Sequence, residues 1–270
     1  MKKLNIAILL DPVYHQLGGS FISTLRFAEL LKKKGHKIIF IAAKYPGRPV
    51  IDYYKKIKIY RFPSVLVPKT EGQFYISFPT KKKIKRIFEK EKIEILHIMI
   101  PTPAVIPSIK AAQELGIKIV AHSHTQPENI FLHLPKSIPN RKINKLFYKY
   151  LIWIYRKAEI TICPSKFAER LLKEQDPELK TIVISNGVDL LKFKKVSYKK
   201  FIKKYNLSEK HIRILFVGRL HPEKSVDTLI KAMPSILKEF KHAHLDIVGK
   251  GHLSDSFEKL IKKLTDFFFF

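Results

Sequence analysis

Leu4 to Ser20 reads LNIAILLDPVYHQLGGS. The run Leu4 to Leu10 has no polar alternation, the pattern of a strand covered on both faces. Polar residues and two glycines follow. Phe21, Leu25, Ala28 and Leu31 then recur near helical spacing, so a helix is expected over Ser20 to Lys34, closed by Gly35. This strand–loop–helix unit repeats along the chain. Lys37 to Ala43, Lys56 to Phe62, Ile93 to Ile100, Ile117 to His122, EITICP and KTIVIS read as further strands. Helices are expected from Pro79 to about Lys90, Ala104 to Leu115, Arg141 to Lys157, and after Ser165. Residues 63–78 read as a loop, given Pro63, Pro68 and Gly72. Such alternation specifies an α/β fold with a parallel sheet sandwiched by helices.

The pattern pauses at SNGVD, Ser185 to Asp189, where Asn-Gly signals a turn. A basic helix over Tyr198 to Tyr205 and a second, shorter series follow: a strand at Ile212 to Gly218, a helix at Asp227 to Glu239, a strand at HLDIVG and a helix at Leu253 to Leu264. Two domains are therefore expected, 1–188 and 189–270, the second too small for a normal domain. The final DFFFF has no role in a core and reads as the mark of a truncated or frame-shifted chain.

Composition narrows the partners. The 270 residues carry 52 Lys and Arg against 23 Asp and Glu, a formal net charge of +29, which favours anions. Most of the excess is Lys scattered along the chain, the usual look of solvated helix faces. No nucleic-acid motif accompanies it, so nucleic acid is not an expected partner. Cys163 is the sole cysteine and sits in an apolar run, which predicts a buried, unreactive thiol. The opening apolar run ends at Asp11 and Pro12, too short for a signal peptide, and no stretch nears the ~18 apolar residues of a membrane span. A cytoplasmic location, in peripheral contact with the inner face of a membrane, is expected.

Four segments carry candidate chemistry. Gly18 and Gly19 precede a helix, where bare backbone N–H groups and the helix terminus favour a phosphate. The dinucleotide fingerprint G-x-G-x-x-G is missing here. AHSHTQPENI, Ala121 to Ile130, ends a strand in polar groups, and His124 is placed to hydrogen-bond a sugar hydroxyl. His122 and His124 have no evident third ligand for a metal. In ILFVGRLHPEKSVDTLIKAM, Ile214 to Met233, Arg219 and Lys224 follow a buried strand, where two cations neutralise a leaving diphosphate. DIVGKG, Asp246 to Gly251, repeats the strand-then-glycine design.

Taken in order, GGS, HSHTQPEN, SNGVDLLKF, VGRLHPEKSVDTLIKAM and IVGKG resemble the family-four retaining glycosyltransferases of the GT-B fold. The resemblance covers nearly the whole chain. It implies two Rossmann-like domains, the second incomplete, with a nucleotide-diphosphate sugar of UDP or GDP type held in the cleft between them. Gly18 and Gly19 would lie against donor phosphates or acceptor, His124 would contact the transferred sugar, Arg219 and Lys224 would grip the diphosphate, and Gly249 and Gly251 would line the nucleotide. Transfer would proceed with retention, the departing phosphate oxygen taking the acceptor's proton, with no metal or other cofactor. HTQPEN and the basic, aromatic stretch Arg141 to Ala158 look like enzymes that glycosylate diacylglycerol or other lipids, and such a helix suits an anionic membrane. A saccharide acceptor is the other expectation.

Two departures stand out. Ser225 occupies the place of the family's usual glycine, and is tolerable there if its φ is negative. The family's second carboxylate motif, a spaced pair of glutamates, is not found, which makes an inactive fragment the leading alternative. A sugar-nucleotide epimerase and a basic nucleic-acid-binding protein are the others.

Overall fold

The computed structural model describes residues 2–13, 19–68, 70, 74–127, 140–193, 197, 199–205 and 212–268. The chain forms two compact units, 1–188 and 189–270.

The first unit is built on an eight-stranded sheet of order β10-β9-β8-β7-β1-β2-β4-β3. Its strands are β1 (Asn5–Leu9), β2 (Lys37–Ala43), β3 (Ile51–Tyr54), β4 (Ile57–Phe62), β7 (Ile95–Ile98), β8 (Lys118–His122), β9 (Ile160–Cys163) and β10 (Thr181–Val183). All neighbours pair in parallel except β3, which runs antiparallel to β4 at one edge. Apolar side chains on both faces explain the unbroken apolar runs of the inner strands. Ile6, Ile8, Ile38, Phe40, Ile57 and Ile59 pack with Phe21, Leu25 and Ala28 of α1 (Gly19–Lys33). Ala7, Leu9, Ile39, Ile41, Leu96 and Ile119 point the other way, onto helices α2 (Lys81–Glu91), α3 (Val105–Glu114), α4 (Asn140–Tyr155) and α5 (Lys166–Gln175). Cys163 is fully buried, and burial pushes its thiol up to about 11.

Two elements depart from the sequence expectation. Ile51–Tyr54 is a strand, joined to β4 by a turn in which Lys55 and Lys56 take φ values of 46° and 62°. Residues 63–78, expected as loop, contain an antiparallel hairpin of β5 (Ser64–Leu66) and β6 (Tyr75–Ser77). Asp11, just past β1 and fully buried, accepts hydrogen bonds from the backbone N–H and hydroxyl of Ser77, so it fastens that hairpin to the carboxyl edge of the sheet. Arg61, also buried, donates to Ala43 O at 2.9 Å and Val13 O at 3.0 Å while pairing with Asp52. It thereby ties the ends of β1, β2 and β4 to the edge strand.

The amino edge has its own fastening. Glu91, at the end of α2, meets Lys37 of β2 at 2.8 Å and Lys58 of β4 at 2.9 Å, and accepts from the Tyr60 hydroxyl.

The second unit holds α6 (Lys199–Lys204), a parallel pair β11 (Ile212–Val217) and β12 (Ala243–Val248), and helices α7 (Val226–Glu239) and α8 (Ser254–Phe268). Phe216, Leu245 and Ile247 pack with Leu220, Val226, Ile230 and Phe257 on one face of the pair. On the other face Leu215, Val217 and Val248 are 63%, 68% and 55% exposed.

Candidate functional site

In the second unit β11 ends at Val217, and Gly218 and Arg219 follow directly. Pro222–Lys224 forms one 3-10 turn, and α7 starts at Val226. The structure brings the two expected cations together through a residue the sequence reading passed over. Glu223 accepts a hydrogen bond from Arg219 Nη2 at 3.0 Å, and its same oxygen, Oε1, lies 3.7 Å from Lys224 Nζ. Arg219 and Lys224 keep 61% and 47% of their side-chain surface exposed, whereas Glu223 keeps 18%. The result is an exposed pair of cations gathered on one sheltered carboxylate, ahead of a helix N-terminus. Such a group can take an incoming phosphate by charge-assisted hydrogen bonds.

Gly249 and Gly251 sit in the loop after β12, beside the Arg219 loop. A Cβ at Gly249 would lie 1.8 Å from Gly218 O, and one at Gly251 2.2 Å from Leu220 O. The close approach is sealed by Gly218 N–H to Val248 O and Leu220 N–H to Lys250 O, both at 3.0 Å. Packing between the loops therefore accounts for both glycines, and they act on Arg219 by holding its loop against the sheet. The condition on which Ser225 would be tolerated in place of glycine is not met: its φ is 49°, in the left-handed region. The family's glycine would sit there without strain, and the Ser225 side chain makes no capping hydrogen bond in return.

In the first unit Gly19 opens α1 and is exposed; a Cβ built on it would meet nothing within 4 Å. The protein's own packing does not require glycine there. Gly18 lies outside the described residues.

His124 follows β8 at the carboxyl edge of the sheet. Its ring lies on that of His122, with centroids 4.0 Å apart and planes 9° from parallel. His122 in turn lies 5.8 Å from His97 of β7, at 10°. Phe27 of α1 meets His97 edge-on at 5.2 Å. Burial holds His124 down at about 4, and burial together with the neighbouring imidazoles holds His97 at about 4 and His122 at about 2. All three imidazoles are therefore neutral at physiological pH. His97 Nε2, both nitrogens of His122 and His124 Nε2 are buried without a hydrogen-bond partner. Among the described residues no three metal-ligating side chains are so placed that they could hold one metal ion, these stacked imidazoles included. His97 went unnoticed in the sequence because it sits inside the apolar run IEILHIMI, where only its strand position reveals its face.

On α4 the buried side is Tyr148, Leu151, Ile154 and Tyr155. The outer side presents exposed Lys142, Lys145 and Lys149 beside Leu146, 70% exposed, and Trp153, 38% exposed. No described helix is long and apolar enough to cross a membrane.

A parallel sheet flanked by helices, followed by a second strand–helix unit with a cation loop at its strand end, defines the GT-B class of glycosyltransferase fold. The profile of Glycosyltransferase Family 4 matches residues 17–191, and that of Glycosyl transferases group 1 matches 197–265. The chain belongs to Glycosyltransferase Family 4. It is 24% identical over 261 residues to alpha-monoglucosyldiacylglycerol synthase of Streptococcus pneumoniae, an alignment covering 93% of this chain and 57% of that relative. The chain thus spans little more than half of the relative's length. Among solved structures, sucrose-phosphate synthase of Thermosynechococcus elongatus superposes with a TM-score of 0.69 at 18% identity, covering 98% of this chain and 67% of that one. HepE of Anabaena in complex with UDP-glucose gives 0.64 at 16% identity, covering 97% and 66%.

Proposed function

We propose that the chain takes part in sugar transfer from a nucleotide-diphosphate sugar, of UDP or GDP type, to a lipid or saccharide acceptor, with retention at the anomeric carbon. One observation carries the reading: Arg219 and Lys224 converge on Glu223 at the end of β11. There they stand ready to exchange an internal carboxylate for a diphosphate. As the bond to the sugar breaks, negative charge grows on the leaving phosphate, and two fixed cations stabilise it more than they stabilise the ground state. His124, held neutral by burial, offers a hydrogen bond to the transferred sugar and does not act as a cationic acid near pH 7. Gly19 leaves backbone accessible at the start of α1, and Gly18 precedes it in the sequence. No metal or other cofactor enters this scheme.

The named relative is a synthase of alpha-monoglucosyldiacylglycerol, and the outer side of α4 supports a lipid acceptor here. Lys142, Lys145 and Lys149 around exposed Leu146 and Trp153 suit an anionic bilayer surface, the apolar groups entering the headgroup boundary.

Titrating the chain with UDP, GDP and their sugars by calorimetry tests the donor reading. Binding should be lost in the Arg219→Ala/Lys224→Ala double variant. Undiminished affinity in that variant would overturn the assignment.

A further inference from the structure

We infer that His122 and His97 are positioning residues that set the plane of the His124 ring. The inference rests on the reading of His124 as the sugar-contacting group. Three imidazoles from two adjacent strands and the loop after β8 form one column, with Phe27 of α1 closing its inner end. His124 itself follows the last strand residue by two positions, where backbone pairing no longer fixes a side chain. Its amide bonds back to His122 O at 3.1 Å, which keeps the two residues folded over one another. Neither nitrogen of His122 is bonded, so what His122 offers its neighbour is a ring face. Offset or parallel contact between flat rings at 4.0 Å restricts rotation about χ2 of His124 and leaves its edge as the free variable. His97 supports His122 from behind at 5.8 Å and is itself immobilised, being 3% exposed within β7. The column therefore passes the rigidity of the sheet to a residue lying outside it. A sugar hydroxyl needs that orientation fixed before it arrives, since misplacement of a contacting group costs rate out of proportion to the distance moved.

The test has a spectroscopic arm and a kinetic arm. In the wild-type chain with isotope-labelled histidine, ring protons of His124 should resonate upfield of those of an exposed histidine, shifted by the ring currents of His122. In His122→Ala that shift should vanish, and in His122→Phe it should persist. Turnover of UDP-glucose, by hydrolysis or transfer, should fall ~10-fold in kcat with KM little changed in His122→Ala, and should return in His122→Phe. An unshifted His124 in the wild type overturns the inference without any variant. So does a Phe variant that fails to restore what Ala removes. If the ring signals respond as stated but His124→Ala leaves turnover untouched, the stack stands while the sugar-contact reading falls, and the positioning role falls with it.

Discussion

The rings of His122 and His124 lie face to face, 4.0 Å apart at their centroids and within 9° of parallel. Because burial holds both well below the usual imidazole value of 6.5, as it does His97, the folded chain refuses protons that the unfolded chain accepts. Their contribution to stability is complete above pH 6.5 and shrinks as pH falls, toward 4 for His97 and His124 and toward 2 for His122. Asp11 works in the opposite sense. Burial raises its carboxyl to about 6, so the folded form keeps a proton between pH 6 and 3.8 that the unfolded form has lost. With three imidazoles against one carboxyl, stability should drop on acidification, and urea midpoints at pH 7 and 5 would measure it. His122→Phe should flatten that dependence.

At the amino edge, Glu91 gives a second acid-sensitive contribution at lower pH. Burial alone would raise its carboxyl, but Lys37, Tyr60 and Lys58 reverse this and hold it at about 2. The stabilisation is present above pH 4.5 and is lost as pH falls through 2. Glu91→Gln should destabilise the first unit by about 2 kcal/mol, a figure kept low because Lys37 is half exposed to water. Chemical denaturation at pH 7 would test it.

Glu223 competes with any phosphate that comes to Arg219 and Lys224. Glu223→Gln should therefore tighten UDP binding several-fold, a change of about 1 kcal/mol. A weakened affinity would mean that the carboxylate arranges the cations more than it occupies them. Calorimetry at two salt concentrations reads both the sign and its electrostatic origin.

Ser225→Gly should stabilise the second unit by roughly 0.5–1 kcal/mol, since a left-handed residue with a Cβ costs about 1–2 kcal/mol and glycine's extra chain entropy offsets part of that. Differential scanning calorimetry should show the transition of that unit moving upward.

Gly251→Ala should have the reverse effect, because its methyl group would run into Leu220 O, a backbone atom with no room to retreat. A loss of about 1–3 kcal/mol is expected, together with weaker UDP binding as the Arg219 loop shifts.

The sheet was legible because its inner strands are unbroken apolar runs between glycines. β3 was not, for a physical reason. Its turn needs two left-handed residues and uses Lys55 and Lys56, not the Asn-Gly or Asp-Gly that announces such a hairpin. Lys32 of α1 stabilises that turn by donating to both carbonyls, an arrangement only the folded chain displays. The β5–β6 hairpin hid among prolines, and Asp11, which anchors it, looked like the polar end of a strand. At the candidate site Arg219 and Lys224 stood out because basic residues after a buried strand are conspicuous. Glu223 did not, since its role depends on a turn that folds it back between them. The sign of φ at Ser225 was beyond reach for the same reason.

The bare side of the β11–β12 pair bears on handling the molecule in solution. Leu215, Val217 and Val248 form an adhesive strip on a body of net charge +29. Mutual repulsion keeps such strips apart while ions are scarce, and added salt weakens it, since the screening length shrinks to ~3 Å at 1 M. Turbidity should accordingly rise with sodium chloride, and dilute buffer should be the better storage medium.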